Sequence, residues 1–271
     1  MKEKLFTDLL KLAAVFGAIW AFFYFVPVFP EDDVFEISIE NEDKIGELLV
    51  NDILLNSPDI EVVSNPILDS AFEVITFRLI ENIGLTEYDY TIRVVESPDI
   101  NAFTLPGGNI FVFTGLLQFS ETPAEVAAVL AHEIGHVEKR HVMSKLVKEF
   151  GLGLLFSVLA GDAVILGELA KTAISTVFDR RQEREADTYA FELMVKSEIN
   201  PTAMASFFRR VKRELGGYDE NLEILMSHPH YNARIKAAIE HDLPEDFSHK
   251  EFDLDWERVK SSCSGYDRNE F

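Results

Sequence analysis

The stretch TPAEVAAVLAHEIGHV, residues 122–137, decides how this chain is read. Thr122 and Glu125 have the form of a capping box, and Pro123 occupies the first helical position, so a helix is predicted to start at Thr122. Val126, Val129, Leu130, Ile134 and Val137 recur at threes and fours and carry it on to roughly Lys148. Within it, His132 and His136 are four residues apart on one face, where two imidazoles can chelate one ion. Glu133 leans toward the same edge without needing to ligate and can take a proton from water that a metal polarises. The alternative is a pair of surface histidines on an acidic helix. The small and apolar neighbours Val129, Ala131, Ile134, Gly135 and Val137 argue instead for a partly buried polar trio, and buried histidines need partners.

A catalytic zinc takes three protein ligands and keeps one position open. A metzincin would place Gly and His three and six residues after His136, but Lys139 and Val142 stand there. His141 is rotated by about 140° from His136 on a continuous helix and is expected to point away from the ion. The third ligand should come from a second helix, for which FDRRQEREADTYA, residues 178–190, is the candidate. Glu183 and Asp187 share a face there, whereas Glu185 lies about 200° from Glu183 and reads as solvated or paired with arginine. Taken alone, this run would be a solvated charged face.

Working outward, Ile45, Leu48, Leu49, Asp52 and Leu55 begin to look helical. Asn65-Pro66 caps a clearer helix through Leu68, Phe72, Ile75, Leu79 and Ile83, ended by Gly84. Two extended pieces follow, Tyr90 to Val95 and Ile110 to Thr114, the second forming a hairpin with Asn101 to Leu105 across Pro106-Gly107-Gly108-Asn109. Residues 151–177 are apolar but interrupted by Asp162, Glu168 and Lys171, which suits a buried or cleft-covering helical segment better than a second membrane span. Asn200-Pro201 opens another helix, through Phe207, Phe208 and Val211 to Leu215.

Charge and composition set the outer bounds. Against 25 Lys+Arg stand 47 Asp+Glu, a net charge of −22 that repels a phosphate backbone and argues against nucleic-acid binding. The 22 Phe and 47% hydrophobic residues can build a core. The single Cys263 excludes an internal disulfide and any multi-cysteine metal site, so His and carboxylates must hold a metal. From Leu12 to Pro30 no residue is charged, and residues 5–29, interrupted by Asp8 and Lys11 near their start, are long enough to cross a bilayer. The run ends without the small residues of a signal-peptide cleavage site, and an uncleaved anchor is expected over 1–30. Lys2, Lys4 and Lys11 before the uncharged run, with Glu31, Asp32, Asp33 and Glu36 after it, place the N-terminus in the cytoplasm and the body outside. An acidic tether is expected over 31–44, a catalytic domain over 45–241, and a loosely packed acidic extension over 242–271.

These residues resemble the membrane-associated gluzincin metalloendopeptidases, the family of HtpX, BepA and the CAAX prenyl proteases, and are most similar to its BepA-like type. The resemblance spans most of 45–240 and rests on Asn101-Ala102-Phe103 with Leu105-Pro106-Gly107-Gly108 and Ile110 to Thr114, His132-Glu133-x-x-His136, Glu183-x-x-Ala186-Asp187, and His228-Pro229 with Arg234-Ile235. It implies an α+β fold, a mainly helical metalloprotease domain with a small antiparallel hairpin behind an N-terminal membrane helix. It implies one zinc ion per chain on His132, His136 and Glu183, with Glu133 as general base. Asp187 is then a proton donor or a carboxylate that orients a ligand histidine. His228 steadies the oxyanion, caps the metal at rest, or is a plain loop residue. Substrate would pair along the hairpin edge near Asn101 to Leu105 or Ile110 to Thr114, which makes Asn101 a candidate contact, and Arg234 holds substrate or braces its loop. Asp179 stands where the family often has Ser, which touches only local capping. The implied activity is zinc-dependent hydrolysis of peptide bonds in unfolded or misassembled membrane and envelope proteins, on the periplasmic side of a bacterial inner membrane. The competing classes are a membrane-anchored, zinc-stabilised chaperone or adaptor with latent proteolysis, and a polytopic membrane protease.

Overall fold

A computed structural model describes residues 11, 15–17, 37–57, 60–215 and 231–263. The predicted anchor over 5–29 falls almost wholly outside these residues, and among the described residues no helix is long and apolar enough to cross a membrane. The chain divides into residues 1–36 and 37–271.

In the second unit, α1 (Ile39–Asn56) starts from a Ser38 cap, inside the stretch expected to be a tether. Its apolar stripe of Ile45, Leu49, Val50 and Ile53 is buried, which is what draws the chain into a helix so early. α2 (Pro66–Ile80) carries the predicted Asn65 cap, whose side chain accepts from the amides of Ile67 and Leu68. Leu68, Phe72, Ile75 and Leu79 are buried along it.

The sheet is β1 (Thr91–Val95), β2 (Ala102–Leu105) and β3 (Asn109–Phe113), in the order β1-β3-β2. The predicted hairpin pairs β2 with β3, setting Phe103 opposite Phe111 with rings stacked 4.9 Å apart. Gly107 and Gly108 both take φ of 73°, the left-handed conformation such a tight reversal demands. The sheet is not purely antiparallel, because β1 joins β3 in parallel. β3 is therefore flanked on both sides, and β2 is an edge.

The remaining helices are α3 (Thr114–Phe119), α4 (Pro123–Glu138), α5 (His141–Leu159), α6 (Ala163–Ile174), α7 (Arg180–Lys196), α8 (Thr202–Leu215), α9 (Tyr231–Glu240) and α10 (Trp256–Cys263). α4 starts where predicted, but its capping box does not form. Glu125 accepts from the Glu121 amide and pairs with buried Arg210 instead. Nor does α4 run to Lys148: it stops at Glu138, and Arg140 adopts φ 54°, ψ 33° before α5 begins. That left-handed residue costs about 1–2 kcal/mol without a glycine. The Arg140 guanidinium offsets it by bonding the carboxylate of buried Glu42 and the carbonyl of Ile37. Residues 151–177 form two short helices joined at Gly161, with α5 itself interrupted at Gly151 (φ 74°). Leu155, Val158, Leu169 and Ala173 face a core shared with Ile45, Leu49, Phe103 and Phe111.

The segment after 242 is not loose throughout. α10 buries Trp256 and Val259, and the Trp256 indole donates to the Ser120 carbonyl.

Candidate metal centre

α4 and α7 lie against each other closely enough that a Cβ on Gly135 would sit 2.8 Å from the carbonyl oxygen of Ala186. That approach lets side chains from both helices converge. Asp179 caps α7, accepting from the amides of Arg181 and Gln182, so the unusual cap residue is competent. Gly135→Ala should force the two backbones apart. Its helix-propensity gain of about 1 kcal/mol is outweighed because the obstacle is backbone, not a movable side-chain end. We expect a melting temperature lower by a few degrees and weaker metal binding, read by thermal unfolding and zinc titration; an unchanged melting temperature would mean the helices have slack.

His132, His136 and Glu183 each offer an atom within 4.8 Å of the others. The two Nε2 atoms are 3.0 Å apart, and Glu183 oxygens lie 3.6 Å from His132 Nε2 and 3.5 Å from His136 Nε2. Donors about 2.1 Å from a tetrahedral centre stand about 3.4 Å from one another, so the trio is spaced for zinc or a similar ion. All three are buried, as is Glu133 at 1% exposure. Burial, ahead of the charge of Arg234, pushes His132 down to about 4, which keeps its imidazole in the neutral form a metal requires.

Around the trio, Asp187 Oδ1 is 2.9 Å from His132 Nδ1. Arg234 from α9 donates through Nε and Nη2 to Asp187 and places Nη1 3.2 Å from Glu183. Its Nη2 is also 2.9 Å from His132 Nδ1. With Nε2 turned to the metal position, that Nδ1 carries a proton, so Asp187 is the partner of both donors. Burial raises the Asp187 carboxyl, but the Arg234 charge and the hydrogen bonds outweigh it and hold the group below its ordinary value. Arg234 is turned inward at 4% exposure, with its guanidinium 4.4 Å from the centre of the Phe208 ring, a geometry suited to bracing.

Asn101 is buried and lines a small cleft with Phe103, Thr104, Glu133, Ala173, Ile174, Thr176 and Phe178. Thus β2 forms one wall beside Glu133 and the end of α6 the other. His228 lies outside the described residues.

Two residues belong here that the sequence did not indicate. His141 is not directed away from the site: after the turn at Arg140, its Nδ1 comes 2.9 Å from His136 Nδ1. Glu185 is not merely solvated but lies 3.1 Å from His141 Nε2. Phe178 also stacks on His136, ring centres 3.8 Å apart. No glycine or proline marks the break at 139–140, so nothing local in the sequence signals the reversal.

A helix bearing His-Glu-x-x-His, a glutamate from a neighbouring helix in reach of both histidines, and a small sheet edge beside the glutamate of the motif are the elements that the gluzincin resemblance leads one to expect around a metal. The model of peptidase family M48 matches residues 67–242, and the chain belongs to that family. Among its relatives, the beta-barrel assembly-enhancing protease of Yersinia pestis is 27% identical over 216 residues, 74% of this chain and 44% of the relative. The mitochondrial metalloendopeptidase OMA1 of Schizosaccharomyces pombe is 31% identical over 172 residues, 62% of this chain and 51% of the relative. The mitochondrial metalloendopeptidase OMA1 of Bos taurus is 32% identical over 169 residues, 56% of this chain and 32% of the relative. The chain thus spans about half or less of the length of these relatives.

Proposed function

We propose that this chain is a zinc-dependent metalloendopeptidase, anchored in a membrane through residues 5–29, that hydrolyses unfolded or misassembled membrane and envelope proteins. The observation that carries the reading is the convergence of His132, His136 and Glu183 with Glu133 one residue from a ligand. When bound, zinc supplies a Lewis acid for the scissile carbonyl and for water. Glu133 takes the proton of the attacking water and passes it to the leaving amine. Asp187 acts by holding His132 in its Nδ1–H form; its contact with Nδ1 and its pairing with Arg234 favour this over proton donation. His228 is the candidate for steadying the oxyanion. Substrate pairs as an added strand along the outer edge of β2, since β3 is already flanked on both sides. Backbone pairing reads little side-chain identity, which suits unfolded clients. The names of the relatives, a beta-barrel assembly-enhancing protease and a mitochondrial metalloendopeptidase, are in keeping with a role at a membrane or envelope. On this reading the N-terminus is cytoplasmic and the catalytic body periplasmic.

The near-complete burial of the trio and Glu133 favours a second reading, a membrane-anchored zinc-stabilised adaptor whose proteolysis is latent. Ala173, Ile174 and Thr176 stand across the cleft from β2, and a substrate chain reaches Glu133 only if they move aside. Both readings are tested with the full chain in detergent and casein as substrate. Cleavage is expected, lost on chelation and restored by one equivalent of zinc. Cleavage that survives complete metal removal rules out the metallopeptidase mechanism; zinc bound without cleavage supports the adaptor.

A further inference from the structure

His136 must present Nε2 to the metal position, because that atom faces His132 Nε2 and Glu183. Its proton then sits on Nδ1. The group 2.9 Å from that Nδ1 is another ring nitrogen, His141 Nδ1, which has to accept. His141 consequently carries its own proton on Nε2, 3.1 Å from an oxygen of Glu185 that accepts it. The reverse assignment fails twice. It would set an unprotonated Nε2 of His141 against a carboxylate, and it would put a proton on the face of His136 turned to the ligands.

We infer that Glu185 and His141 form a positioning relay that fixes the tautomer and ring direction of His136 as a metal ligand. The inference rests on the metal-site reading above. It gives α7 a threefold part: Glu183 is a ligand, Asp187 holds the Nδ1 of His132, and Glu185, through His141, holds the Nδ1 of His136. A glutamate on the far side of α7 can do this because α5 starts next to the end of α4 and brings His141 between the two helices. His141 is buried at 3%, and Phe178, stacked on His136 at 24° between ring planes, fixes the plane in which the relay acts. Partners that orient a ligand histidine generally matter to metal affinity by about 10–100-fold.

The test is zinc affinity, by competition with a chromophoric chelator, together with the visible absorption of the cobalt(II)-loaded full chain. His141→Phe keeps a ring but neither accepts nor donates; Glu185→Lys puts a donor where His141 needs an acceptor. Both should bind zinc about 10–100-fold more weakly, with shifted cobalt bands. His141→Gln, whose amide can accept from His136 and donate to Glu185, should regain most of the affinity. Parent-like affinity and spectrum in His141→Phe or Glu185→Lys overturn the relay, as does a His141→Gln chain no better than His141→Phe. Should His141→Phe fail to fold, Glu185→Lys decides, since that side chain is 41% exposed and tolerates exchange. A parent that takes up no metal overturns the metal site itself, a different failure from loss of the relay.

Discussion

Replacing Glu133 by glutamine is expected to lower casein cleavage by at least about 10²–10⁴-fold, the range a positioned general base contributes, while zinc content stays at the parent's level. The two effects separate because Glu133 shares a helix with the ligands without belonging to the group of three that converges. Glutamine keeps the volume and the hydrogen-bonding capacity of the side chain but cannot carry a proton away from water. At 1% exposure the carboxylate is also buried, so a neutral amide should not destabilise the fold, and thermal unfolding should be close to the parent's or slightly higher. The measurement is a timed digestion of casein beside metal analysis of the same preparations. Cleavage by Glu133→Gln at the parent's rate would remove Glu133 as base. An inactive parent with zinc bound would shift the assignment to the adaptor, whose client-holding activity should survive the substitution.

Much of this site can be read in the chain because its parts are local. The histidine pair is fixed by helical spacing, and Glu183 and Asp187 fall on one face for the same reason. The hairpin at 101–114 follows from two adjacent glycines that take left-handed conformations. What could not be read depends on contacts distant in sequence. α4 ends at Glu138 because Arg140 finds Glu42, about 100 residues earlier, and no residue near 140 has a helix-breaking signature of its own. Extending α4 to Lys148 therefore sends His141 away from the ion, although the reversal brings it onto His136. The Glu125 capping box was lost in the same way, to Arg210 from α8. Position on a helix foretold which side chains share a face but not that Glu185, on another face, would be met by an inserted histidine.

Arg234 is the second place where a large effect is expected. Arg234→Met keeps the aliphatic stem and removes a cation that is 4% exposed and bonded to Asp187 while also facing Glu183. Two buried carboxylates then face each other without it, and breaking such a pair from one side costs about 3–5 kcal/mol. The loss should be largest in the metal-free protein. Zinc replaces part of the missing positive charge beside Glu183, and binding to the folded chain alone adds stability by mass action, so saturating metal should return some of the melting temperature. The acid side of the stability curve gives an independent reading. In the parent, Asp187 is held below its ordinary value, so its contribution is present above the unfolded pKa and disappears as the pH falls through the lower folded value. Without Arg234 that contribution is absent at neutral pH, and the variant should lose less on acidification than the parent does. Were Arg234 instead a substrate contact, the substitution would raise KM for casein and leave the melting temperature unchanged with and without zinc. A stability loss under about 1 kcal/mol in the metal-free chain would exclude the bracing role, because a surface pair is worth no more than that.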